Sequence, residues 1–93
     1  MTRMTLVGIS RDDAVTVVER IVGHVPADEP VGTPHVITPG VVLTDDDERF
    51  ALERDETGAE FVTRTRAVGD GNAELTIFRD GAEISRDVRP VSL

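Results

Sequence analysis

The sequence predicts an α+β fold: one amphipathic helix packed on a mostly antiparallel meander of four to five strands. The expected order is β-α-β-β-β-β, in a single domain spanning residues 1–93. Three observations predict it. One segment carries a helical apolar period between a start and a stop signal. The C-terminal half is a run of short strand-like segments rich in Val, Ile, Phe and Thr. Turn residues punctuate that run about every ten positions, the spacing of a meander.

Residues 3–9 (RMTLVGI) read as the first strand, with Gly8 a weak point in it. Ser10 then precedes Arg11, Asp12 and Asp13, and a Ser with a carboxylate three positions on is a capping signature for a helix. Asp12 and Asp13 fall in the first turn, where the helix dipole favours negative charge. Ala14, Val15, Val18, Ile21, Val22 and Val25 recur at spacings of three and four, opposite Asp12, Thr16, Glu19 and Arg20. Gly23 and Pro26 supply the stop.

Residues 26–40 hold four of the five prolines and read as a surface loop. The loop includes an extended piece at His35–Ile37 and a turn at Thr38-Pro39-Gly40-Val41. Strands then follow at residues 41–43, 49–54, 60–68, 73–79 and 82–88. They are separated by the acidic loop 44–47, by Asp55-Glu56-Thr57-Gly58, by Gly69-Asp70-Gly71-Asn72 and by Asp80-Gly81. Asp-Gly is the strongest hairpin signal, since both positions tolerate positive φ. The expected register sets Arg79 against Ala82, Ile77 against Ile84, Ala73 against Val88 and Leu52 against Phe61. The expected core is Leu6, Val15, Val18, Ile21, Val22, Val41, Leu43, Phe50, Leu52, Phe61, Leu75, Ile77 and Ile84.

The charge pattern speaks of solvent. Eighteen Asp plus Glu stand against ten Arg and no Lys, for a net charge of −8. Such a surface repels nucleic-acid phosphates and anionic membranes, so neither is an expected direct partner. A molar-salt cytoplasm accounts for both features. At ~1 M salt the screening length is about 3 Å, and crowded carboxylates no longer repel one another; Arg is also more weakly hydrated than Lys. The expectation is a halophile protein, with a GC-rich bacterium as the rival source. No apolar run approaches the ~18 residues of a membrane span and no signal-peptide pattern opens the chain, so the expected location is cytoplasmic or within a larger particle. There is no Cys, hence no disulfide framework or thiolate metal site.

Motifs of chemistry are weak throughout. Asp45-Asp46-Asp47-Glu48 offers hard oxygen ligands for Ca²⁺ or Mg²⁺, but it lacks the alternating ligands and the Gly of an EF-hand and reads as a solvated loop. His24 and His35 lack a third metal ligand at a recognisable spacing. The glycines of Gly69-Asn72 precede a strand, whereas a phosphate cradle opens a helix. No nucleophile elbow, Walker loop or Cys-His pairing is present. The expectation is a non-enzyme with no cofactor, metal or catalytic site.

One helix covers one face of such a sheet. The expected register leaves Val62, Arg64, Arg66, Thr76, Phe78 and Ser85 on the other. Val62, Arg64, Arg66, Thr76 and Phe78 are therefore the expected partner-binding residues, an aromatic anchor with an arginine rim. The functional expectation is a protein–protein interaction or assembly subunit, homo-oligomeric or with another protein, in keeping with a virus particle component of a halophilic host. It would dock through that face or through an edge strand. Two other classes compete: an acidic regulator (antitoxin, immunity protein or nucleic-acid mimic) that blocks a basic surface, and a small ligand-binding or enzymatic domain with an enclosed polar pocket.

Overall fold

A computed structural model describes residues 5–6 and 10–91. It is α+β, with the elements β1 (Thr5–Leu6), α1 (Arg11–Val22), β2 (Pro34–Thr38), β3 (Val41–Thr44), β4 (Arg49–Arg54), β5 (Glu60–Gly69), β6 (Asn72–Arg79) and β7 (Ala82–Pro90). Six strands form an antiparallel meander, β2-β3-β4-β5-β6-β7, and β1 pairs with the end of β4. The sheet is thus larger than the four to five strands expected. The rest of the expected first strand, and the Leu6 side chain, lie outside the described residues.

Helix α1 begins as its sequence dictates. Ser10 is extended (φ −61°, ψ 161°), and its Oγ accepts the Asp13 backbone N–H at 3.2 Å. Gly23 closes the helix by donating to the Ile21 carbonyl. The buried stripe is Ala14, Val17, Val18 and Ile21, the i, i+3, i+4, i+7 set of a single face. Val15 is only half-buried and Val22 is 42% exposed, so the stripe sits slightly round the helix from the expected one.

The turns hold to their sequence. Asp70-Gly71 and Asp80-Gly81 both take positive φ, at 53° and 73° and at 48° and 91°, the two-residue geometry that matches strand twist. Register departs from expectation in two places. Arg54 pairs with Glu60, which makes the β4–β5 loop five residues, 55–59, where four were expected. Leu52 therefore faces Val62, and Glu53 faces Phe61. In the last hairpin Arg79 faces Ala82 as expected, but a bulge expels Ile84, setting Ile77 against Ser85 and Ala73 against Arg89.

The first slip decides the core on β5 and β6, and the pairing of Val42 with Phe50 decides it on β3. Side chains alternate strictly across a strand, so shifting a register by one residue exchanges its two faces. Phe50 and Leu52 anchor the helix side, and with them go Val42 on β3, Val62 on β5 and Phe78 on β6, all buried. Val41, Leu43, Phe61, Leu75 and Ile77, all expected in the core, stand half-buried on the opposite face, and Ile84, also expected there, is 55% exposed. Val25, Val31 and Val36 close the core's border.

Both outer strands are finished at their margins. β2 begins at Pro34, has an irregularity at Ile37 and is followed by Pro39; β7 carries the Ile84 bulge, four charged side chains and Pro90. Such features oppose strand addition by another chain.

Candidate interaction face

The residues expected to bind a partner lie mainly on the covered face. Val62, Arg64, Thr76 and Phe78 are each 2% exposed, beneath α1 and the loop that follows it. Arg66 is half-buried at the end of the same face. The face assignment is corrected by the five-residue β4–β5 loop, whose extra residue turned β5 and β6 over relative to the expected pairing. That loop is organised by Asp55. Its Oδ1 accepts the Thr57 N–H at 2.8 Å, the Thr57 hydroxyl at 2.6 Å and the Ala59 N–H at 3.1 Å. These bonds, with the Thr57 hydroxyl foremost, hold the Asp55 carboxyl below its usual pKa.

What the covered face gains is an ionic layer beside the apolar core. Arg64 donates from Nε and Nη2 to Glu48, and from Nη2 to the Pro30 carbonyl at 3.2 Å. Glu48 was read as part of a solvated acidic run, yet it is 5% exposed and turned inward. The Thr44 hydroxyl makes that possible, accepting the N–H groups of Asp46 and Glu48 at 3.3 and 3.2 Å and folding the loop back. Further along, Glu29 receives Arg66 at 3.2 Å and Arg86, while Arg66 also reaches Glu74 at 3.1 Å. The Arg86 hydrogen bonds, above all, hold the Glu29 carboxyl below the ordinary glutamate value. A carboxyl depressed on folding stabilises the fold at neutral pH, and that contribution is lost as pH falls through its folded-state value.

The remaining titratable groups scatter. Asp45 pairs with His35 at 2.6 Å, so the four carboxylates of residues 45–48 do not converge on one point. His24 instead lines a cavity of about 140 Å³ with Arg20, Glu60, Asp80 and Gly81, where Arg20 is tied to Glu60 at 3.0 Å. Among the described residues, no three His, Cys, Asp or Glu side chains gather as a metal ion would need. A cleft of about 380 Å³ lies over Glu48 and Arg64, whose charges satisfy each other, with Asp46, Asp47 and Arg66 also in its walls.

The other face of the sheet is open, and no described segment lies across it. Cross-strand pairing gives its layout. Glu53, Phe61 and Arg79 form one row; Val41, Ala51, Thr63, Ile77 and Ser85 the next; Leu43, Arg49, Thr65, Leu75 and Asp87 a third. Its centre is half-buried and built of Ala, Thr, Ile, Leu and Phe. Arg79 lies over the Phe61 ring, 5.7 Å from its centroid. The signal for this face was present in the alternation of β4, where Phe50 and Leu52 fix one phase and Ala51 the other. No helix among the described residues is long and apolar enough to cross a membrane. No family model, curated protein or solved structure matches the chain, so its fold and its surfaces carry the functional argument by themselves.

Proposed function

We propose that this chain is a small, acidic, non-enzymatic subunit of a halophile that acts by docking onto protein through its open sheet face. The observation that carries this reading is that face itself: six strands wide, apolar and threonine-rich at its centre, and uncovered by any described segment. A sheet buries one face against its helix, and a second apolar face is stabilised when a partner removes it from water, at roughly 25 cal/mol per Å². Docking by strand addition is disfavoured by the bulges and prolines at both margins.

The carboxylates support this reading over that of an acidic regulator. A mimic of phosphates gathers its charges on one surface; here they spread over α1 (Asp12, Asp13, Glu19), the loops (Asp45, Asp46, Asp47, Glu56) and the turns (Asp70, Asp80). The enzymatic reading lacks a comparable support, because the larger cleft is floored by a mutually neutralised pair.

Affinity capture at molar salt, run in parallel with wild type and Ile77→Glu, tests the proposal. A protein companion, or a second copy of the chain, should accompany wild type and be lost from the variant, whose fold is checked by circular dichroism. Recovery of the wild-type chain as a bare monomer would sink the docking reading.

A further inference from the structure

We infer that the occupant of the open face is a second copy of this chain, related by a two-fold axis lying in the interface and running across the strands. This inference rests on the docking reading and narrows it to one partner. Its warrant is the arrangement of charge.

The chain as a whole carries −8, but the open face holds Arg49, Arg79 and Arg89 against Glu53 and Asp87, with His35 and its partner Asp45 at the β2 margin. The carboxylate excess therefore lies elsewhere, and two copies meet here without the repulsion that opposes their approach on other sides.

Four of these charges stand at the corners of the part of the apolar face that lies on β4, β5 and β6. Glu53 and Arg49 stand on β4, two rows apart; Arg79 on β6 and Asp87 on β7 stand in the same two rows on the far side. Reading round the corners, the signs alternate: Glu53, Arg79, Asp87, Arg49. Asp87 keeps Arg89 at 2.8 Å and is 54% exposed, so its carboxylate is available at the surface.

An alternating square of charge is self-complementary under some rotations and not others. A dyad across the strands sets Glu53 over the partner's Arg49, and Arg79 beside the partner's Asp87. A dyad along the strands also opposes unlike signs. A dyad on either diagonal sets like upon like, which is costly. The two allowed orientations are those of aligned sheet packing, in which strand directions differ by about 30°. The dyad across the strands has one further merit. It lays Val41, in the middle row, over the partner's Val41, which keeps apolar area on apolar area. Five inter-strand gaps of ~4.8 Å by about six residues of strand give a footprint on the order of 500 Å² per copy. The total, about 1,000 Å², is at the threshold for specific association. The product is a four-layer helix–sheet–sheet–helix particle closed by its own symmetry.

Sedimentation equilibrium of the purified chain in ~2 M KCl, where the surface carboxylates are screened, reads the result. Wild type should populate a dimer, and Arg49→Glu, at an exposed position, should weaken it about tenfold or more because the dyad counts each substitution twice. Glu53→Arg alone should weaken it likewise. Combining Glu53→Arg with Arg49→Glu restores opposite signs across this dyad and should recover dimerisation. Recovery with Glu53→Arg plus Arg79→Glu instead would overturn the orientation. A dimer indifferent to these changes and to Ile77→Glu would overturn the interface. A wild-type monomer at about 1 mM in molar salt would overturn self-pairing, and the docking reading would then stand or fall on whether the capture experiment finds a different protein.

Discussion

Glu48 shows how much a single residue's surroundings can change its meaning. In sequence it closes a run of four acids, and nothing separates it from Asp45, Asp46 or Asp47. In the fold it is the one turned inward, because Thr44 bends the loop and Arg64 waits on β5. Two charges this deeply buried are stabilising only as a pair: removing one partner strands the other in a low-dielectric site, while replacing both with apolar groups is often neutral. Glu48→Ala is therefore expected to lower stability by about 3–5 kcal/mol, a large share of what a domain this size has. The double variant Glu48→Leu with Arg64→Met should recover much of that loss. Urea denaturation of the two variants and wild type, at fixed molar salt, checks the ordering. The sequence marks Arg64 only as an arginine among strand residues, expected in a partner-binding rim; its burial follows from which face of the sheet it is on.

That knowledge sits at the level of elements. Helix α1, the Asp80-Gly81 hairpin and the bounds of β4 follow from local signals: a capping Ser, positive-φ turn residues, an abrupt change in period; the other Asp-Gly turn is tighter than the four residues 69–72 expected. Register does not, because it depends on how many residues a loop consumes. Residues 55–58 have the composition of a four-residue turn, but Asp55 reaches as far as Ala59, and that one position exchanged the faces of β5 and β6. The bulge at Ile84 is a second instance, in a hairpin whose turn had been read correctly. Deleting Glu56, an exposed loop residue, is accordingly expected to be far worse than its position suggests. It forces either a strained loop or a slipped pairing that drives Val62 and Phe78 outward. The loss should exceed ~5 kcal/mol and erase cooperative unfolding. A thermal melt like that of wild type would show that the loop does not set the register.

For the whole molecule, composition offers more than motif. The absence of Lys and the excess of carboxylate, on the helix, loops and turns, are the grounds for proposing a particle suited to concentrated salt. Lowering the salt from about 2 M to ~0.1 M lengthens the screening distance from a few ångströms to about 10 Å, enough for neighbouring carboxylates to repel. The melting temperature should fall steadily over that range, with loss of ellipticity at the dilute end. An unchanged melt would remove the argument for salt adaptation. The ionic layer of Glu29, Arg66, Glu74 and Arg86 should be less affected, since its members are at most about one-third exposed.

The prolines and kinks at the two rims of the sheet have one more effect. Crowded cells favour any contact that can repeat without end, and an untreated rim is the usual starting point for fibres. A ribbon hemmed at both described margins resists such extension, and on the pairing proposed above its open face would be saturated by one neighbour. Such a chain would tolerate very high abundance, because its assemblies would close on themselves.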